Sequence, residues 1–179
     1  EFTLPRAPRQ ERGVLRMESL LDSAAELIVE RGVENLSLLE LAARADATTG
    51  SIYHFFGSRD GLLRALFERY ADGFRQVNGQ LLGTPLDAWS VLSVRQFVES
   101  FFAPVAKFLH ANPAFVILGS DGTWKHPAVD MELTIVTARH FARILADRWP
   151  LANRSDLRLT TDMVFAMGDG VFQEMSRSK

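Results

Sequence analysis

The chain has 179 residues, 47% of them apolar, with 20 Lys or Arg against 22 Asp or Glu for a formal charge of −2, and no cysteine. That is enough apolar material for one or two helical domains with real cores, and it excludes a polycation, disulfides and thiolate metal sites. No apolar run reaches the ~18 residues of a membrane span and no signal peptide stands at the front, so a cytoplasmic protein is expected. Glu1-Phe2 does not look like a natural start.

Arg6, Arg9, Arg12 and Arg16 cluster at the front, the first three in a Pro-containing segment that reads as a flexible arm. Val14, Met17, Leu21, Ala24 and Ile28 then form one apolar stripe, which predicts a helix over about 11–31 with Gly32 as its stop. Ser37 followed by Glu40 is a capping box, in which each side chain can bond the other's backbone amide. Leu36 and Leu41 occupy the two positions of a hydrophobic staple, so a second helix is placed at about 38–45. Asp46 and Ala47 form a turn, and Thr48 is the N-cap of a third helix over about 49–56. Thr49, Gly50 and Ser51 make its front small and polar, which lets a helix backbone approach base edges and phosphates. Ile52 and Phe56, four apart, anchor it in the core and leave Tyr53 and His54 on the outer side. Gly57 and Ser58 close this helix and cap the next, where Arg59 beside a helix N-terminus makes a phosphate seat.

Two short helices joined by a tight turn, with a third behind them, are a means of pushing one helix into the DNA major groove. The same pattern also occurs in all-α proteins that never touch DNA. Residues 1–60 hold seven Arg and ten Asp or Glu, a net of −3, so DNA binding must come from local arrangement rather than bulk charge.

The segment from about Val14 to Tyr70 resembles the TetR family of bacterial transcriptional regulators. The resemblance lies in Arg31-Gly32 ending the first helix, Ser37 before the second, and the string Gly50-Ser51-Ile52-Tyr53-His54-Phe55-Phe56 followed by Ser58-Arg59 and a Leu-rich helix. It implies an N-terminal three-helix helix-turn-helix domain and a C-terminal helical domain that binds a small molecule and forms the dimer. It also implies that a basic N-terminal arm reaches the adjacent groove. The residues it assigns to DNA are Ser37, Thr48, Thr49, Gly50, Ser51, Tyr53, His54 and Arg59. Two positions depart from the family pattern: Asp46, where Gly is common, and Thr49, where a basic residue is common. They bear on affinity and base reading rather than on fold.

A fourth helix, about 59–82, carries Leu62, Leu63, Leu66, Phe67, Tyr70, Phe74, Val77 and Leu81 and is the expected connection between halves. Gly83-Thr84-Pro85 is the clearest break, so the reading divides the chain into a DNA-binding domain (1–58), a connecting helix (59–82) and a ligand-binding and dimerisation domain (83–179). Beyond the break, helices are predicted at about 88–111, kinked at Pro104, at 114–120, from after Pro127 to Trp149, and at about 156–175. The family dimer packs the last two helices of each subunit as a four-helix bundle. Only one of the two reads here as full length, so either a final helix lies beyond Lys179 or the bundle is built differently. Gly168 and Gly170 weaken the last helix and would be explained by close helix approach at a dimer seam.

The aromatic excess over 89–149 reads either as a large helical core or as an apolar cavity lined by Phe97, Phe101, Phe102, Trp124, Met163 and Phe165. Among the four His there is no i, i+4 pair and no HExxH motif; Asp121, His126 and Asp130 cluster in sequence and are the one grouping that could bind a metal, whereas Ser120-Asp121-Gly122 is ordinary turn chemistry. No Gly-rich phosphate loop is visible. No catalytic residues, metal or cofactor are therefore expected. The reading adopted is an all-α, homodimeric, ligand-responsive regulator, a repressor of a double-stranded DNA operator released by an apolar or aromatic small molecule. The alternatives are a carrier or enzyme with a helical cavity and a non-functional DNA module, and a helical interaction protein with no DNA role.

Overall fold

The computed structural model describes residues 9–121, 124 and 127–177, and every regular element among them is a helix. In chain order these are α1 (Arg9–Arg31), α2 (Leu38–Arg44), α3 (Thr49–Phe56), α4 (Arg59–Gly83), α5 (Leu86–Ser90), α6 (Val94–Ala111), α7 (Pro113–Ser120), α8 (Pro127–Arg148) and α9 (Arg154–Arg177). The chain divides into two compact units between Glu68 and Arg69, within α4. Arg6 and His126 lie outside the described residues, as does most of the 122–126 loop.

The first unit is built on aliphatic side chains at helical spacing. Leu20, Leu21, Leu27 and Ile28 of α1 are buried, together with Leu41 of α2, Ile52 of α3 and Leu62, Leu63 and Leu66 of α4. Each such burial is worth roughly 1.5–3 kcal/mol. Leu21, Ala24 and Ile28 of the α1 stripe are buried as expected and Leu20 and Leu27 widen that face, while Val14 at its front is half exposed.

The ends of the short helices are held by arginines. Arg16 on α1 donates through Nη1 to the carbonyls of Ala45 (3.3 Å) and Asp46 (2.7 Å), at the α2–α3 turn. Arg59 at the start of α4 donates through Nε to Leu36 (3.4 Å) and through Nη2 to Val33, in the α1–α2 loop. Arg44 makes a forked pair with Glu30 at 2.6 and 2.8 Å. This pair holds the Glu30 carboxyl below the usual carboxylate range, chiefly through the Arg44 hydrogen bond. Only half of the Ser37–Glu40 capping box forms: the Glu40 amide donates to Ser37 Oγ at 3.4 Å, while the Glu40 carboxylate turns to Arg31 at 2.6 Å.

The second unit has an aromatic core. Leu81, Trp89, Phe97, Phe101, Phe141, Ile144 and Leu145 cluster, and Phe102, Val105, Leu157, Val164 and Phe165 pack against them. The single helix expected over 88–111 is two, α5 and α6, because Ser93 starts a new one. Its hydroxyl accepts from the Gln96 amide, and the Gln96 side chain accepts from the Ser93 amide at 2.9 Å. The carbonyls left open where α5 ends accept from Arg148, at Trp89 (3.0 Å), Ser90 (3.3 Å) and Leu92 (2.5 Å). α6 continues through Pro104, and α6 and α7 are bent by 91° at Asn112. Both closing helices are long, 22 residues in α8 and 24 in α9, where the sequence reading counted one at full length. No single helix among the described residues is long and apolar enough to cross a membrane.

The junction of α3 and α4 is the tightest point of the first unit. Ser58 Oγ accepts from the Gly61 amide at 2.9 Å and caps α4. A methyl group at Gly61 would stand 1.9 Å from the Phe56 carbonyl oxygen, a backbone atom that cannot swing aside. Gly61→Ala should therefore destabilise the unit by at least the ~1–3 kcal/mol typical of overpacking. Chemical denaturation followed by helix content checks this, and an unchanged midpoint would show that the junction can relax.

Candidate nucleic-acid interface

A helix that reads DNA must bury one side and offer the other, with its N-terminal turn outward. α3 does this in eight residues. Ile52 is fully buried, and Phe55 and Phe56 are half-buried. Gly50, Tyr53 and His54 are exposed, with Thr49 and Ser51 intermediate. Thr48 sits in extended backbone, and its hydroxyl accepts from the Ser51 amide at 3.2 Å. The Thr48 and Ser51 hydroxyls also bond each other at 3.1 Å. His54 meets Phe55 edge-on at 5.3 Å between ring centres. Ser37 is exposed at the front of α2.

The angle between α2 and α3 is set by four residues. The Ala45 amide donates to Leu41 (3.0 Å) and the Ala47 amide to Ala42 (2.8 Å), while Asp46 lies in the left-handed region at φ 47°. That conformation is unfavourable for most L-residues, and Asp and Asn tolerate it best after Gly. The departure noted at position 46 thus has a backbone cause: Asp stands where the turn calls for a residue that accepts positive φ. Gly57, at φ 72°, ends α3 in the same way, its amide donating to Tyr53 at 2.9 Å.

Of the eight residues assigned to DNA, seven line the exposed side or front of α2 and α3. Arg59 departs from its assignment. Its guanidinium turns back to the Val33 and Leu36 carbonyls and is partly buried there. Sequence alone could not show this, because the accepting carbonyls come from a loop more than 20 residues earlier. Arg16, Arg31 and Arg44 are likewise engaged within the unit. Arg12 and Arg64 are exposed.

In the second unit, four of the six residues read as cavity-lining meet in the aromatic cluster. Phe97 and Phe101 are buried, and Phe102 and Phe165 pack against them, with Phe97 stacked on Phe141 at 5.7 Å. Trp124 is half-buried, its amide donating to Asp121 Oδ1 at 3.1 Å, and does not join the cluster. Met163 does not join it either. It lies 54% exposed between Leu159 (59%) and Met167 (60%), each four residues away on the same face of α9. Among the described residues, no group of three His, Cys, Asp or Glu could hold a metal.

The family of bacterial regulatory proteins named tetR matches residues 20–66, the stretch that carries this geometry. That stretch is a TetR-family helix-turn-helix segment. The chain is 31% identical over 88 residues to the HTH-type transcriptional regulator YvdT of Bacillus subtilis, covering 49% of this chain and 44% of that protein. The chain thus spans less than half the length of the curated relatives it matches. A TetR-like regulator from Rhodococcus sp. RHA1 has the same fold, with a TM-score of 0.64 at 20% identity over 96% of this chain and 87% of that one. So does the regulator FadR of Bacillus subtilis in complex with stearoyl-CoA, with a TM-score of 0.58 at 16% identity over 89% and 85%.

Two sets of variants test the site's construction. Asp46→Gly should be neutral or stabilising, whereas Asp46→Val should cost about 1–2 kcal/mol through the positive φ; equal thermal midpoints would remove that explanation. Arg59→Ala and Arg59→Lys should both lower the midpoint, because an ammonium lacks the fork that reaches two carbonyls. If Arg59→Ala instead leaves stability intact and weakens binding to every DNA sequence alike, the side chain holds a phosphate after all.

Proposed function

We propose that this chain is a non-enzymatic, cytoplasmic DNA-binding repressor, acting as a homodimer and released from its operator by a small apolar molecule. The observation that carries it is α3. Its N-terminal turn of Thr49, Gly50 and Ser51 is offered outward, while Ile52 and the Thr48 cap fix its pose. In this reading the three front residues face base edges, and Tyr53 and His54 hold phosphates. One eight-residue helix reads too few base pairs for a genomic address, so two copies are needed, with their readers ~34–36 Å apart on one face of the duplex. The exposed row Leu159, Met163 and Met167 on α9, with Ile135 and Val136 exposed on α8, supports a dimer through these helices. Met163 then belongs to the subunit seam rather than to a cavity.

The aromatic cluster around Phe97, Phe101 and Phe141 supports an apolar effector, and the FadR likeness, a protein holding stearoyl-CoA, is in keeping with it. α4 is the chain connection through which the second unit acts on the first. An effector shifts DNA affinity only by its differential affinity for two arrangements, typically ~1–3 kcal/mol or about 5–150-fold.

A gel-shift against DNA upstream of the protein's own gene, at two salt concentrations, tests the reading. Binding should prefer one sequence and weaken with salt. The slope should be shallow, roughly −0.9 for each phosphate neutralised, because Arg16, Arg31, Arg44 and Arg59 are engaged within the first unit. Ser51→Ala should change preference at one base position more than total affinity. Sequence-blind binding, or a monomer at micromolar concentration by light scattering, would overturn the proposal.

A further inference from the structure

Three buried side-chain nitrogens have no hydrogen-bond partner among the described residues: Asn78 Nδ2, Trp89 Nε1 and His140 Nε2. All three lie in the second unit, in or beside the aromatic cluster. Trp89 belongs to it, His140 precedes Phe141 of it, and Asn78 stands one helical turn before Leu81 of it. A buried unpaired polar nitrogen is costly, and cores that keep such groups keep them for a partner.

Asn78 and His140 are held as a pair. Asn78 on α4 is 3% exposed, and Thr137 Oγ1 on α8 donates to its Oδ1 at 3.1 Å. That bond turns the amide so that Nδ2, a donor, is the unpaired end. One turn further along both helices, the His140 ring lies near the Leu81 backbone carbonyl, which favours its charged form. Its Nε2 is buried and unpaired. Burial, the largest effect, holds the imidazole below its ordinary value; the Leu81 carbonyl opposes this and Arg143 adds to it. The ring is therefore neutral near pH 7, and Nε2 offers a lone pair. One unpaired donor and one unpaired acceptor thus sit on neighbouring stretches of α4 and α8, each within a helical turn of a member of the aromatic cluster, Leu81 or Phe141.

We propose that Asn78 and His140 form the polar end of an effector site and select an uncharged, hydroxyl-bearing apolar molecule, whose O–H donates to His140 Nε2 and whose oxygen accepts from Asn78 Nδ2. Thr137 positions the Asn78 amide. A carboxylate is disfavoured, since it has no proton to give Nε2 and would lose its hydration at a neutral wall. A plain hydrocarbon leaves both nitrogens unpaired. The inference rests on the reading of the second unit as the effector domain.

The test titrates the whole protein, labelled with 15N at histidine, with 2-naphthol, 2-naphthoate and naphthalene. 2-Naphthol should bind about tenfold more tightly than either relative, the increment of one or two buried hydrogen bonds. It should also move the His140 Nε2 resonance. Asn78→Leu and His140→Phe should each erase the preference for the hydroxyl while naphthalene still binds, and retained helix content shows that each variant is folded. The proposal is overturned if naphthol shows no preference in the unaltered protein, if the preference survives both variants, or if the His140 resonance stays still because a water alone bridges the pair. Operator binding is measured in parallel without probe. Its absence in the unaltered protein would sink the repressor reading and leave the naphthol result to be judged separately.

Discussion

A helix of seven or eight residues leaves at least as many backbone groups unpaired at its ends as it pairs within. Everything in the first unit depends on resolving that deficit, because α2 and α3 are seven and eight residues long. Hydroxyl caps at Ser37, Thr48 and Ser58 take the amides at the front of α2, α3 and α4. Arg16 and Arg59 reach from longer helices to the carbonyls left open in the turn and the loop. Arg148 does the same where α5 ends in the second unit. In each case a planar fork with several donors, carried on a long helix, steadies an end that short-range hydrogen bonding cannot satisfy.

This use of arginine has an electrostatic consequence. Residues 1–60 are already net negative, and the guanidiniums of Arg16, Arg31, Arg44 and Arg59 are engaged by carbonyls and carboxylates of the same unit. What remains at the face of α3 is a helix N-terminus with its partial positive charge, hydroxyls, an exposed phenol and an imidazole. Such a surface discriminates through hydrogen-bond geometry and close backbone approach more than through charge.

Much of the first unit was legible in the sequence because its signals are local. Ser37, Thr48 and Ser58 are caps by residue type and spacing, and Ile52 with Phe56 four residues on marks the inward side of α3. What was missed needs three dimensions. The carbonyls that engage Arg59 come from Val33 and Leu36, and nothing at position 59 foretells them. Glu40 has the right spacing for a full capping box but sits closer to Arg31 than to the Ser37 amide. In the second unit the break before α6 was readable, since Ser93 and Gln96 have capping-box spacing, but the aromatic run around it hid the signal. Asn78 passed unnoticed inside an apolar stripe, and its burial appears only when α8 brings Thr137 against it. Met163 was grouped with Phe165 by proximity in sequence, although two residues on a helix differ by more than half a turn.

The contact between Gly61 and the Phe56 carbonyl also bears on how the molecule can move. The end of α3 and the first turn of α4 approach so closely that nothing larger than hydrogen fits at position 61. That link resembles a hinge in composition and is a weld in geometry. A displacement of α4 near Gly61 therefore acts on α3 through a direct backbone contact as well as through the chain link.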